Sequence, residues 1–141
     1  MRSFPTFAVA LTVAAGAAHA QGGPGPRQPP PDHWMTIDSV ATAVALTEAQ
    51  RPAFLEHYDA LNAVMKRAAE ARVTFREEMG GNRPTPEAMQ AFRTKLETMQ
   101  KELDQHHSAM RAQLTEEQQG KFDALAKPDV QIRMGGRRPG G

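Results

Sequence analysis

Apolar residues recur at alternating intervals of four and three residues along two long segments, which is the spacing of a helix with one buried stripe. In the first segment the stripe consists of Phe54, Tyr58, Leu61, Met65, Ala68, Arg72, Phe75 and Met79. In the second it consists of Met89, Phe92, Leu96, Met99, Leu103, His106 and Met110. Two such helices joined by a short connection pack as an antiparallel hairpin with coiled-coil-like contacts. Because no segment has the alternating β-branched pattern of strands, the predicted fold is all-α.

One helix-start pattern, the capping box, occurs twice in the sequence. In a capping box the threonine hydroxyl accepts from the backbone N–H three residues later, and the glutamine side chain at that position accepts from the threonine N–H. Thr47 and Gln50 form the first pair, and Thr115 and Gln118 form the second. The pattern predicts that one helix begins after each threonine.

Glycine and proline residues separate the two long helices. Gly80-Gly81 suits the left-handed end of a helix, and Thr85-Pro86 suits the start of the next one. Pro52 lacks the N–H that would bond the Glu48 carbonyl, so a local kink is expected near Glu48. Together these signals predict helices at 38–45, 48–79, 86–113 and 116–126.

The first 20 residues have the pattern of a cleaved signal peptide. Arg2 precedes an apolar run from Phe7 to Ala18, and Ala18-His19-Ala20 fits a signal peptidase site. A retained membrane anchor is the alternative, but the run is shorter than the ~20 residues that span a bilayer. The predicted organisation is a signal peptide at 1–20, a Gly/Pro-rich flexible spacer at 21–35, a helical domain at 36–128 and a basic, Gly/Arg-rich disordered tail at 129–141.

Composition excludes several classes of function. The chain has no cysteine, so it holds no thiol nucleophile, disulfide or thiolate metal site. The full chain has 17 Lys and Arg and 16 Asp and Glu, and Arg2 is the only one of these within residues 1–20. Without residues 1–20 the basic and acidic residues are therefore equal in number. A neutral mature chain lacks the basic excess of a nucleic-acid-binding protein. No Gly-rich phosphate loop or catalytic constellation is present, so the prediction is a protein that is not an enzyme.

Three histidines and one methionine are candidate metal ligands. If Met79 faces Met89 across the turn, His57 lies about one helical turn from the level of His106 and His107. Met110 follows His106 by four residues, and such a set suits Zn(II) or copper. The alternative is that His106 belongs to the seam while His57 and His107 are solvated, in which case the protein has no cofactor.

Methionine is frequent on the two stripes. These flexible thioether side chains fill cores, but they also adapt to varied partners on a binding surface. Both interpretations stay open from the sequence. The candidate client-binding residues are Met65, Phe75, Met79 and Met99.

The two boxes, Leu46-Thr47-Glu48-Ala49-Gln50 and Leu114-Thr115-Glu116-Glu117-Gln118, resemble the twin motifs of the Spy/CpxP family, also called the LTXXQ-motif family. The resemblance covers about residues 40–126 and includes Phe122 in the last helix. It implies a cradle-shaped, antiparallel dimer of bent helical hairpins in the Gram-negative periplasm. One departure is that the family often has proline directly after the Leu-Thr pair, whereas here the proline is Pro52.

The resemblance implies three functions. Family members include an ATP-independent chaperone and an inhibitor of an envelope-stress sensor kinase, and the related ZraP and CnrX-like proteins bind or sense metals. A thin hairpin also buries too little apolar surface to be stable as a monomer, so a homodimer is expected. The leading prediction is a periplasmic chaperone or stress adaptor that binds unfolded or partner proteins, without nucleic-acid binding or stable membrane insertion. The alternative is a periplasmic heavy-metal sensor or resistance protein.

Overall fold

A computed structural model of the protein describes residues 29–131. These residues form four helices, α1 (Ile37–Val44), α2 (Arg51–Met79), α3 (Pro86–Ala112) and α4 (Glu116–Asp123), and no strand. The predicted all-α fold is therefore confirmed. The predicted signal peptide, most of the predicted spacer and residues 132–141 of the predicted tail lie outside the described residues.

The long helices α2 and α3 pack against each other as the predicted antiparallel hairpin. At ~1.5 Å per residue, the 29 residues of α2 extend over roughly 44 Å. The turn between them begins with two left-handed residues, Gly80 (φ 52°) and Gly81 (φ 84°), which glycine adopts without the steric cost of a Cβ. Thr85 then caps α3 by accepting from the Ala88 N–H at 3.2 Å.

The predicted stripes form the seam between the two helices. Leu61, Leu96 and Leu103 are fully buried in it, while Tyr58, Phe75 and Met99 pack against its edge. The two polar members of the stripes, Arg72 and His106, stay partly exposed. The seam therefore runs through the middle of the hairpin, and its polar members are less buried than its leucines.

The start of α2 differs from the prediction. The helix begins at Arg51 instead of Glu48, and residues 48–50 form a turn. Because Pro52 cannot donate to the Glu48 carbonyl, it takes a place in the first turn, where a missing N–H costs no internal hydrogen bond. The Thr47 carbonyl accepts from the N–H groups of Gln50 and Arg51, each at 3.1 Å, so a turn precedes the helix.

The short helices α1 and α4 pack against each other and close one end of the hairpin, called the base below. Phe54 of α2 and Phe122 of α4 are fully buried there, with ring centroids 6.2 Å apart in an edge-to-face arrangement. Val40 and Val44 of α1 are also completely buried. The base is thus a small apolar core to which α1, α2 and α4 contribute.

The ordered domain extends beyond the predicted limits at residues 36 and 128. On the N-terminal side, Trp34 is 7% exposed because its ring packs edge-on against Phe122. On the C-terminal side, residues 124–131, called the strap below, run back along the hairpin, and Val130 is only 2% exposed. The prediction of disorder from residue 129 is therefore wrong for residues 129–131, because Val130 packs into the core cluster.

Candidate functional site

The two capping boxes meet at the base through their glutamine side chains, a pair called the glutamine clasp below. The Gln50 Nε2 donates to the Gln118 Oε1 at 2.8 Å, and the Gln118 Nε2 donates to the Gln50 Oε1 at 3.0 Å. Each Oε1 also accepts from the threonine N–H of its own box, Thr47 at 3.1 Å and Thr115 at 3.0 Å. The hydrogen bonds of both boxes form and the boxes bind each other, but of their two threonines only Thr115 caps a helix, because α2 begins at Arg51.

The second N–H of each clasp amide binds a backbone carbonyl at an equivalent place in the other motif. Gln50 donates to the Gln113 carbonyl at 3.2 Å, and Gln118 donates to the Ala45 carbonyl at 2.9 Å. Each of these carbonyls belongs to the residue before the motif leucine, so the two motifs are related by local twofold pseudosymmetry. Both amides use both of their donors on the protein itself.

This geometry gives the twin motifs a structural role at the base. Gln118 is 7% exposed, and the side chains of Leu46 and Leu114 pack in or against the core cluster. The clasp joins the start of α2 to the end of α3 and the start of α4. Because both of its amides are fully paired within the protein, it offers no unsatisfied group to a ligand.

Two of the four candidate metal ligands come together. The rings of His57 on α2 and His106 on α3 face each other, with centroids 5.9 Å apart, and both side chains are partly exposed. Met110 is completely buried, so its thioether does not reach the surface where the two imidazoles lie. Within residues 29–131, no group of three or more His, Cys, Asp or Glu side chains is arranged to hold an ion.

His107 lies on a different face from His106 and belongs to an aromatic cluster. Its ring is 4.6 Å from that of Phe122 and 5.8 Å from that of Trp34. Burial lowers the pKa of His107, and the nearby positive charge of Lys127 acts in the same direction. A neutral imidazole is therefore favoured at this position.

A groove opens along the hairpin toward the turn and is called the open groove below. Its volume is about 610 Å³. The rings of Phe75 and Phe92 form its floor, stacked in parallel with centroids 4.2 Å apart. It is lined by Arg67, Glu70, Ala71, Thr74, Phe75, Glu78 and Met79 of α2 and by Ala88, Ala91, Phe92, Lys95 and Met99 of α3.

Three of the four candidate client-binding residues line this groove. Phe75, Met79 and Met99 are half-buried there, whereas Met65 is only 3% exposed and fills the core. Met65 is therefore corrected to a packing residue, because its side chain lies in the seam between the helices. Phe92 is the main lining residue missed, although its place on the stripe opposite Phe75 was a usable signal.

Charged side chains of both signs surround the apolar floor. Glu70, Glu78 and Lys95 line the groove, and the guanidinium of Arg67 forms an ion pair with Glu102 at 2.6 Å. No described residue outside α2 and α3 lines the groove. An apolar floor with a mixed-charge rim can bind a partner that carries both apolar and charged groups.

The comparison with known families agrees with the paired boxes. The LTXXQ motif family protein profile matches residues 34–126, which is more than half of the 141-residue chain. The chain belongs to the LTXXQ motif family. This is the motif family of Spy/CpxP-like periplasmic proteins. No curated protein and no solved structure matches the chain.

The matched region of this LTXXQ protein begins at Trp34 and ends at Ala126. These two residues are joined in the structure, because the Trp34 Nε1 donates to the Ala126 carbonyl at 2.8 Å. Among residues 29–131, no helix has the length and apolar content needed to cross a membrane.

Proposed function

We propose that this LTXXQ protein is a periplasmic, ATP-independent chaperone or stress adaptor that holds partly unfolded proteins in the open groove. The supporting observation is the apolar floor formed by Phe75 and Phe92, which neither terminal segment covers among the described residues. Its role is binding, and no chemical step is assigned to any residue. Signal-peptide export and assembly as a homodimer belong to the same proposal.

The side chains of the groove suit partners of varied sequence. Met79 and Met99 have flexible thioether chains that adapt to different apolar surfaces. Lys95 and Glu78 offer opposite charges within the same rim, so clients of either charge can be attracted before apolar contact forms. A client whose exposed apolar segments are covered by the groove cannot aggregate through those segments. A chaperone that acts by such covering needs no ATP.

The test compares the wild-type protein with a groove variant and a matched control in suppressing aggregation of a reduced model protein. Ala91→Glu adds a charge to an exposed position that lines the groove. Ala63→Glu makes the same change at an exposed α2 position outside the groove. We expect the wild-type and Ala63→Glu proteins to delay aggregation, and the Ala91→Glu protein to delay it several-fold less.

Circular dichroism of all three proteins checks that the substitutions leave the helices intact. No protection by the wild-type protein at several-fold molar excess would remove the chaperone proposal. Protection lost equally in both variants would place the client site outside the open groove. A protein without chaperone activity that captures a sensor kinase from envelope extract would instead be a dedicated kinase ligand.

The second candidate function is periplasmic metal binding, favoured by the adjacent rings of His57 and His106. Two imidazoles from facing helices can hold Zn(II) or Cu(II), with water completing the coordination. Calorimetric titration with these ions tests the idea on the wild-type protein and on His57→Ala and His106→Ala variants. Tight binding that both substitutions abolish supports a metal role, and binding that survives either substitution contradicts this site.

A further inference from the structure

The buried side chain of Gln100 holds the strap on the hairpin by binding main-chain groups of the strap. The Gln100 Oε1 accepts from the Val130 N–H at 2.8 Å, and its Nε2 donates to the Pro128 carbonyl at 3.4 Å. Gln100 is 9% exposed. Its carboxamide therefore binds an extended segment as a neighbouring strand would, through one donor and one acceptor of the main chain.

A second polar side chain, Arg72 of α2, binds the next part of the strap. Its guanidinium donates to the carbonyl of Val130 and, at 3.1 Å, to the carbonyl of Gln131. Burial lowers the pKa of Arg72, while the carboxylate of Asp129 favours its charged form. The buried Nε of Arg72 has no hydrogen-bond partner, so the strap satisfies this guanidinium only in part.

The strap contributes few side chains to its own binding. Val130 is the one residue of the strap in the buried core cluster, and Pro128 is buried beside the Gln100 amide. The attachment also includes four backbone hydrogen bonds to Gln100 and Arg72, the bond from Trp34 to the Ala126 carbonyl, the ion pair of Lys127 with Asp104, and the packing of Leu125 against the core cluster. A segment with few buried side chains and no helix of its own opens at a lower free energy than the core.

We propose that Gln100, Arg72 and the cavity filled by Val130, together called the strap dock, form a recognition site for an extended peptide segment of a partner protein. The strap is the intramolecular occupant of this site, and a partner segment displaces it. The favoured segment has a β-branched apolar residue at the place of Val130, because the Val130 side chain is the one that the core cluster buries.

The physical reason for exchange is that the empty dock leaves polar groups without partners. When the strap leaves, the Gln100 Nε2 keeps its bond to the Asp104 carboxylate at 3.0 Å, but the Gln100 Oε1 loses the Val130 N–H and the Arg72 guanidinium loses two carbonyls. Burial makes such a loss costly. An incoming extended segment restores these bonds whatever its side chains are, and its β-branched residue refills the Val130 cavity. Neither Gln100 nor Arg72 lines the open groove, so this inference does not depend on the chaperone proposal.

The experiment measures binding of a fluorescently labelled peptide with the sequence of residues 126–131, Ala-Lys-Pro-Asp-Val-Gln, blocked at both ends. In the full chain, Val130→Asp places a charge in the apolar cavity and releases the strap. Gln131→Glu is the matched control, because it adds the same charge to the strap at an exposed position. Trp34, the only tryptophan, reports release through its hydrogen bond to Ala126.

We expect the peptide to bind the Val130→Asp chain at least about tenfold more tightly than the wild-type or Gln131→Glu chain, since a closed strap reduces the fraction of competent molecules. Adding Gln100→Leu to Val130→Asp should abolish binding, and a peptide with aspartate in place of its valine should not bind. Equal affinity of the peptide for the wild-type and Val130→Asp chains would overturn the proposal that the strap occupies the same site as the peptide. No binding to a Val130→Asp chain that keeps its helical circular dichroism would overturn the recognition site.

If Val130→Asp fails to fold, hydrogen exchange of the wild-type chain tests the same proposal. The Val130 N–H is protected by Gln100, so excess unlabelled peptide should speed its hydrogen exchange by displacing the strap, without changing exchange in the α2–α3 hairpin. Exchange at Val130 that is unaffected by a saturating range of peptide concentrations would overturn the proposal.

Discussion

Replacing Gln118 with alanine should destabilise the protein far more than a typical loss of a helix cap. The Gln118 side chain makes four hydrogen bonds, one with the Thr115 N–H, two with the Gln50 amide and one with the Ala45 carbonyl. At about 1 kcal/mol for each bond, and with some recovery by water at this partly buried site, we expect a loss of about 3 kcal/mol. In a domain of this size that lowers the melting temperature by roughly 10–25 °C.

Thr115→Ala gives the comparison within the same motif. The Thr115 Oγ1 accepts one hydrogen bond, from the Gln118 N–H at 3.4 Å, so its loss should cost no more than about 1 kcal/mol. Gln105→Ala is the matched control for the glutamine substitution, because Gln105 is an exposed residue of α3. Its effect on the free energy of unfolding should be close to zero.

A double-mutant cycle separates the clasp from two independent caps. Free energies of unfolding are measured by urea denaturation, followed by circular dichroism, for Gln50→Ala, Gln118→Ala and the double variant. Because each single substitution already breaks the shared amide pair, the double variant should lose about 1–2 kcal/mol less than the sum of the single losses. Losses that add within about 0.5 kcal/mol would refute the reasoning and leave two unconnected caps.

Four further outcomes are expected. Burial lowers the pKa of His107, so the unfolded chain binds a proton at a higher pH than the folded chain does. The free energy of unfolding should therefore decline as the pH falls below about 6.5. Denaturation at several pH values should show a shallower decline for His107→Phe. Gly81→Ala should cost about 1–2 kcal/mol in thermal melts, since φ is 84° at this position. Trp34→Phe should cost about 1 kcal/mol by losing the bond to Ala126, measured by urea denaturation. Sedimentation of the mature chain should show a dimer, and a monomer at tens of micromolar would contradict the expectation that a partner chain covers the hairpin.

The sequence predicted those parts of the fold that depend on local spacing. The alternating stripe placed Leu61, Leu96 and Leu103 in the seam, because helical periodicity alone determines which residues share a face. It did not predict the start of α2, since Pro52 could either kink a helix or stand in its first turn. Only the packing of the base decides between those two conformations.

The candidate site was less accessible to sequence reasoning. Each capping box was predicted, but the bond between Gln50 and Gln118 joins residues 68 positions apart, and no local pattern reveals it. His106 and His107 lie on different faces because adjacent helical residues are rotated by about 100°. Trp34 and Val130 lie in segments rich in proline or polar residues, so no periodicity marked them as buried.

The glutamine clasp also has a consequence for the order in which the chain folds. The turn from Gly80 to Thr85 brings α2 and α3 together between neighbouring residues, whereas the clasp spans 68 positions and the Trp34–Ala126 bond spans 92. Closing a longer loop costs more chain entropy, and contacts between sequence neighbours form sooner. The hairpin should therefore form from the turn, with the two LTXXQ motifs meeting late. We expect this late pairing to make the base and the hairpin unfold together, as one cooperative domain.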